Sequence, residues 1–328
     1  MAASARRPRA VVVTGASSGI GRAAALAFAR RGDDLVLSAR AAGVLEQVAD
    51  ECRALGARVR VAPVDVNDAA SVAALAGSGD RIDVWVHTAA VMAYGRFEDL
   101  PAGVFEQVVR TDLLGAATVA RAALSRFRSQ GSGVLILGGS VLGFVAAPYM
   151  SAYITSKWGM RGLARVLRQE TRDARHIHVC VVDPGGVDTP IYRSAANYAG
   201  WVGRPPPPVD APEKVAAAIV RLAERPRRTV SVGLANRVMR IGFVAMPPVY
   251  DLLVGPLMRA AGLSRDPVEA HPGNVFAPLP ELDDTSARWG RHWLRPAAVA
   301  GAATLTAAAV GWRARASGRP WGPIRTRR

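Results

Sequence analysis

A doubly wound parallel α/β sheet is the fold class this sequence predicts, and three observations predict it. Short, continuously apolar runs alternate with helix-forming stretches over roughly residues 10 to 235, the pattern of strands packed between two helical layers. The first run, Ala10-Val-Val-Val-Thr14, passes directly into a glycine-rich turn and then into Arg22–Arg30, a strong helix former. Hydrophobic residues make up 50% of the 328, enough for one large core or two smaller ones.

Taken in order, the elements place candidate functional residues at strand ends. Ala10–Thr14 reads as a buried β-branched strand, and Gly15-Ala-Ser-Ser-Gly19-Ile-Gly21 follows it. A glycine turn between strand and helix suits a pyrophosphate at the helix N-terminus, with Gly15, Ser17, Ser18, Gly19, Ile20 and Gly21 as the cradle. The spacing Gly-x-x-x-Gly-x-Gly differs from the usual dinucleotide fingerprint, and taken alone such a turn also fits a purely structural role. The second strand, Asp34–Arg40, ends without the acidic residue that accepts a ribose 2′-hydroxyl: Ala39 stands there and Arg40 follows. A guanidinium forks onto a 2′-phosphate, so NADP(H) is favoured over NAD(H). Later elements include a helix from Pro212 through Ala223 and a last strand over Arg228–Gly233.

Tyr153 and Lys157 lie four apart in Ser151-Ala-Tyr-Ile-Thr-Ser-Lys-Trp158, so a helix there puts phenol and amine on one face. A free phenol ionises near pH ~10, and a neighbouring ammonium is expected to lower that value. Of 42 basic side chains only Lys157 and Lys214 are lysines. A chain so biased to arginine keeps a lysine where a compact amine of tunable pKa is useful. The same spacing also fits an ordinary solvated helix face.

Together, Thr14-Gly-Ala-Ser-Ser-Gly-Ile-Gly21 and Tyr153-x-x-x-Lys157 resemble the short-chain dehydrogenase/reductase family. Ser140, thirteen residues before Tyr153, stands where that family places its catalytic serine. Asp65-Val66 follows the third apolar strand, where the family contacts adenine, and Pro184-Gly185-Gly-Val187-Asp-Thr189-Pro190 resembles its nicotinamide loop. The resemblance implies a Rossmann fold over 10–235 and a hydride exchange between nicotinamide and a carbonyl–alcohol pair. It implies Tyr153 as proton donor or acceptor, Lys157 as its tuner and ribose holder, and Ser140 as oxyanion partner. Ala89 would form part of the cofactor floor. Two departures stand out. His87-Thr88-Ala89-Ala90 replaces the family's Asn-Asn-Ala-Gly, with His87 hydrogen-bonding as the asparagine does, and Asp112 replaces the catalytic asparagine. An ionised Asp112 would favour the ammonium form of Lys157 if its side chain points that way. These departures keep open an alternative: a cofactor-binding protein with impaired turnover, acting as a redox-sensing or membrane-tethered partner.

Outside the common core, residues 1–9 form a short basic arm with no room for a signal peptide, and 236–328 an apolar, helical extension. Loop 191–210 holds Tyr192, Asn197, Tyr198 and Trp201, either a lid on a lipophilic substrate or aromatics packed on the sheet. Ile241–Met258 is apolar and proline-broken, suited to a pocket wall, a dimer contact or a lipid surface. A second apolar stretch, 297–312, spans about 24 Å as a helix, short of a ~30 Å bilayer core. Trp293, Trp312 and the arginines that follow suit a membrane interface, and a buried helix is the alternative. Net charge is +16, yet no base-reading motif accompanies it, so no specific nucleic-acid partner is expected. Cys52 and Cys180 lack metal or disulfide spacing, which points to a reducing compartment and no metal. The expected picture is a cytoplasmic homo-oligomer, with tail contact to a membrane left open.

Overall fold

Strands buried on both faces need near-continuous apolar sequence, and the apolar runs become one parallel sheet. The computed structural model describes residues 7–77 and 79–289. Its strands are β1 (Ala10–Thr14), β2 (Asp34–Ser38), β3 (Val59–Val61), β4 (Val84–His87), β5 (Gly133–Gly138), β6 (Ile177–Pro184) and β7 (Thr229–Val232). They pair in the order β7-β6-β5-β4-β1-β2-β3, all parallel. The chain runs outward from β1 to β3 and then returns to β4 on β1's other side. The carboxyl ends of β1 and β4 therefore bound the switch-point crevice where ligands bind in such sheets.

Helices α1 (Gly19–Ala29), α2 (Ala42–Ala54), α3 (Ala69–Gly77), α4 (Ala102–Val109), α5 (Gly115–Gln130), α6 (Ser151–Glu170) and α7 (Pro212–Glu224) pack around the sheet. Side-chain alternation divides the strands between two cores. Val11, Val13, Leu35 and Leu37 meet Phe28, Leu45, Ile219 and Leu222 of α1, α2 and α7. Val12, Trp85, Leu135 and Leu137 meet Leu75, Val119, Phe127 and Met160 of α3, α5 and α6. Helix α1 begins at Gly19, three residues before the helix-forming run, because the end of the glycine turn is already helical. Strand β2 stops at Ser38, leaving Ala39 and Arg40 just past its carboxyl end.

Beyond β7 the extension adds α8 (Ala235–Ala245) and α9 (Pro247–Leu257). Leu263–Pro267 then pairs antiparallel with Trp201–Gly203, and residues 271–289 run back across the carboxyl edge of the sheet. The 297–312 segment, its flanking tryptophans and the terminal arginines lie outside the described residues.

Candidate active site

The glycine turn is built for close approach. Gly15 takes φ +86°, and a Cβ there would collide with the Ala89 backbone; one at Gly21 would collide with the Gly15 carbonyl. Ser18 holds the N-cap position of α1, and its side chain makes no capping bond to the helix. Thr14 Oγ1 lies 2.9 Å from His87 Nδ1 and 3.2 Å from the Val86 carbonyl, which it reaches as donor. The Thr14–His87 hydrogen bond ties β1 to β4. Burial, with the nearby Lys157 charge, pushes the His87 pKa down to about 3, so it stays neutral.

Ser140, Tyr153 and Lys157 converge across the crevice from that turn. Tyr153 and Lys157 lie in the first two turns of α6, both buried. Ser140 follows β5 and caps a short turn, its Oγ accepting from Leu142 N at 3.1 Å. Lys157 Nζ donates to the Gly138 carbonyl at 3.1 Å and sits 5.2 Å from the centre of the Tyr153 ring. Asp112 occupies a π-helical turn, Arg110–Leu114, between α4 and α5, an irregularity that often marks functional sites. Its Oδ1 accepts from Val91 N at 2.8 Å and its Oδ2 lies 3.7 Å from Lys157 Nζ, with both side chains buried. Burial lifts the Asp112 carboxyl to about 6, against the pull of Lys157 and the Val91 N–H.

One electrostatic expectation is corrected. Tyr153 is pushed well above the ordinary phenol range rather than lowered, by burial first and by the Asp112 charge second. The Ser140 hydroxyl, hydrogen-bonded to the phenol, opposes this without reversing it. The reason is that Asp112 answers the ammonium that was to favour the phenolate, while burial penalises the anion directly.

A cavity of about 570 Å³ joins the two halves of the site. Gly15, Ser17, Ser18, Gly19, Ile20, Gly21, Arg40, Asp65, Val66 and Ala89 line its glycine-turn end, and Ser140, Tyr153, Lys157, Pro184, Gly185, Val187 and Thr189 the other. Asp112 lies behind the wall. Of the loop aromatics only Tyr192 reaches the cavity. Asn197 is buried in the short strand Ala196–Asn197, its side chain bonding Trp201 O and Ala199 N. The apolar wall comes from Met92, Tyr94 and Met150 and from the extension, through Met246, Leu253, Leu257 and Met258.

No motif announced the strap formed by residues 271–289. Gly19 N, the first amide of α1, donates to the Asp284 carbonyl at 2.8 Å. The Asp283 carboxyl hydrogen-bonds the Ser17 and Ser18 hydroxyls, and burial raises its pKa despite them. Arg40 Nη2 donates to Asn274 O at 2.7 Å. Asp188 accepts from Ser286 Oγ at 2.9 Å and Ala287 N at 3.2 Å. The strap thus touches the glycine turn, Arg40 and the loop after β6 in turn. A faint signal existed in the sequence: Asp283-Asp284 is an acidic pair within a strongly arginine-rich terminus.

Comparison with known proteins agrees with this geometry. Residues 9–198 match the family model for short chain dehydrogenase. Sepiapterin reductase of Chlorobaculum tepidum is 33% identical over 231 residues, covering 67% of this chain and 92% of that protein. An alcohol dehydrogenase from Thermococcus sibiricus, solved with 5-hydroxy-NADP, superposes with TM-score 0.60 at 28% identity, covering 69% of this chain and 96% of the other. A short-chain dehydrogenase from Streptomyces avermitilis gives TM-score 0.64 at 25% identity, covering 76% and 95%.

Proposed function

The chain belongs to the short-chain dehydrogenase family, and from that premise we propose that it is an NADP(H)-dependent oxidoreductase interconverting a lipophilic ketone or aldehyde and its alcohol. The observation that carries this reading is the convergence of Ser140, Tyr153 and Lys157 in one apolar cavity whose far end is the glycine cradle. The cradle fits a dinucleotide: the N-terminus of α1 and the glycine turn before it line the cavity, and Gly15 and Gly21 let that turn fold tightly against its own backbone and that of Ala89. When bound, the nicotinamide supplies the hydride. The protein's own part is proton transfer and positioning. Tyr153 Oη gives its proton to the carbonyl oxygen in reduction and takes it back in oxidation. Ser140 Oγ hydrogen-bonds the same oxygen as its charge develops. Lys157, backed by Asp112, sets the local charge, and the buried Met92, Tyr94 and Met150 wall keeps water from the reacting carbon.

Titration with NADPH and NADH, followed by nicotinamide fluorescence, tests the cofactor half. Arg40→Ala should reduce the preference for NADPH over NADH by roughly tenfold or more, the worth of a charge-assisted hydrogen-bond pair. Because Arg40 also holds the strap, the ratio of the two affinities is the diagnostic, not either one alone. An unchanged ratio removes Arg40 as the phosphate clamp.

Asp283 carries a second expectation. Its carboxyl takes up the two serine hydroxyls that face the phosphate position, so Asp283→Ala should tighten NADPH binding by roughly three- to tenfold through lost like-charge repulsion. Weaker binding in this variant would mean that the strap clamps the cofactor instead of competing with it.

A second reading, cofactor binding without turnover, is favoured by one observation: an Asp112–Lys157 ion pair stands where the family has a neutral asparagine. Turnover of any ketone that disappears in Tyr153→Phe decides between the two. Among the described residues no helix is long and apolar enough to cross a membrane.

A further inference from the structure

The α8–α9 hairpin has two apolar sides. Inward, Met239, Leu253 and Leu257 line the cavity. Outward, Leu234, Val238, Ile241, Val244, Val249 and Leu252 are between 48 and 86% exposed. Seven of the fourteen large hydrophobic side chains exposed among the described residues fall between Leu234 and Leu252, so this is one concentrated patch and not the scattered apolar surface that every protein carries. From Ile241 to Tyr250 the chain has no charged residue, and all of Val244–Val249, the turn of the hairpin, is exposed. Val238, Met246 and Val249 are both exposed and cavity-lining, so they form the rim of the cavity mouth.

The hairpin is pinned to the body by Phe243 and Tyr250, the two residues that flank its exposed turn. Tyr250 Oη donates to the Ala146 carbonyl at 2.8 Å. Phe243 stacks edge-on against both Tyr250 and Trp158. Trp158 is itself 43% exposed, with its indole N–H directed to Val145 O.

Charge selects the occupant of this face. Arg161 and Arg240 of α8 both stack on the Phe144 ring, and Arg165 and Arg168 follow Arg161 along α6. Burial, and then the mutual repulsion of these guanidiniums, pushes the Arg161 pKa down to about 10, with Asp183 as the opposing carboxylate. Arg237 and Arg259 add further exposed positive charge next to the patch, and Asp251 is the one acidic residue on the two helices. A second copy of the chain docked on this face would bring two such clusters together. An anionic bilayer would neutralise them while accepting the apolar tip.

We infer that the α8–α9 hairpin is a membrane-docking element. Its Val244–Val249 tip enters the headgroup–acyl boundary of an anionic bilayer, the surrounding arginines meet lipid phosphates, and the cavity mouth opens onto lipid. Docking stands independently of the chemistry assigned to the site; only the route of a lipophilic substrate from bilayer to cavity rests on the proposed function.

The test is flotation of the full-length protein with phosphatidylcholine vesicles and with vesicles holding about one third phosphatidylglycerol, at low and high salt. Binding is expected to the anionic vesicles and to weaken as salt screens the arginines. The double variant Ile241→Asp/Val244→Asp, at positions outside the cavity lining, should lose at least tenfold in vesicle partitioning with NADPH affinity unchanged. A second variant, Val244→Trp, should show a blue shift of tryptophan emission on anionic vesicles relative to wild type. Retained flotation of the double variant would assign binding to another segment and overturn the proposal. So would wild-type protein that ignores vesicles but forms a dimer which the double variant breaks.

Discussion

Tyr153→Phe is expected to lower kcat by roughly 10² to 10⁴-fold, the usual range for loss of a positioned general acid, while leaving NADPH affinity within about threefold. The substitution keeps the ring that packs against Met92 and Met150 and removes only the hydroxyl, so neither cavity shape nor fold should change. What disappears is the proton that must reach the carbonyl oxygen. Ser140 cannot replace it, because an aliphatic hydroxyl is a far weaker acid than even a phenol shifted upward. Steady-state rates on a panel of apolar ketones, beside fluorescence titration of the same preparations, measure both quantities. Wild-type kcat in the Tyr153→Phe variant would place the proton donor elsewhere and remove the mechanism. Equal loss of NADPH binding would instead point to collapse of the cofactor site.

Much of this was legible in the sequence because local chemistry and tertiary position coincide. The apolar runs had to be buried strands, and a strand followed by Gly15-x-x-x-Gly19-x-Gly21 had to turn tightly where added side chains would collide. Tyr153 and Lys157 fell on one helix face because four residues make about one turn. What escaped depended on contacts between distant parts of the chain. The strap has no periodicity, and beyond the acidic pair Asp283-Asp284 no local feature tells that Asn274 and Asp283 reach Arg40 and Ser17 across the sheet edge. The Tyr153 shift was misjudged for the same reason: its sign depends on how Asp112, forty-one residues away, is aimed at Lys157. Loop 191–210, left open between a lid and aromatics packed on the sheet, sends Tyr192 to the cavity, while the Asn197 amide is consumed by Trp201 O and Ala199 N. The apolar run 241–258, left open between wall, dimer contact and lipid surface, lines the cavity with its inner side.

Asp112→Asn should move the pH profile and leave the fold intact, since a carboxamide oxygen can still accept the Val91 N–H that Asp112 Oδ1 accepts at 2.8 Å. Opposite charges at the 3.7 Å separation of Asp112 and Lys157 interact by on the order of 4 kcal/mol at an effective dielectric of 20, so the loss is not subtle. Above about pH 6 the Asp112 carboxyl is ionised, and its charge helps hold Tyr153 in the protonated form. Removing that charge leaves Lys157 to act on the phenol alone, and the Tyr153 pKa falls. Alcohol oxidation needs the phenolate, so its rise with pH should begin about one pH unit or more lower in the variant. Carbonyl reduction needs the phenol, so its decline at alkaline pH should begin correspondingly earlier. Stability supplies an independent readout. The folded-state pKa of Asp112, about 6, stands above the ordinary carboxyl value of 3.8. Its contribution is therefore fully present below about pH 4 and is lost as pH rises through 6, a change of roughly 3 kcal/mol. An amide does not titrate, so melting curves from pH 4 to 7 should show the variant gaining on the wild type across that window. Parallel melting curves together with an unmoved rate profile would separate Asp112 from Lys157 and Tyr153 in function, however close they stand.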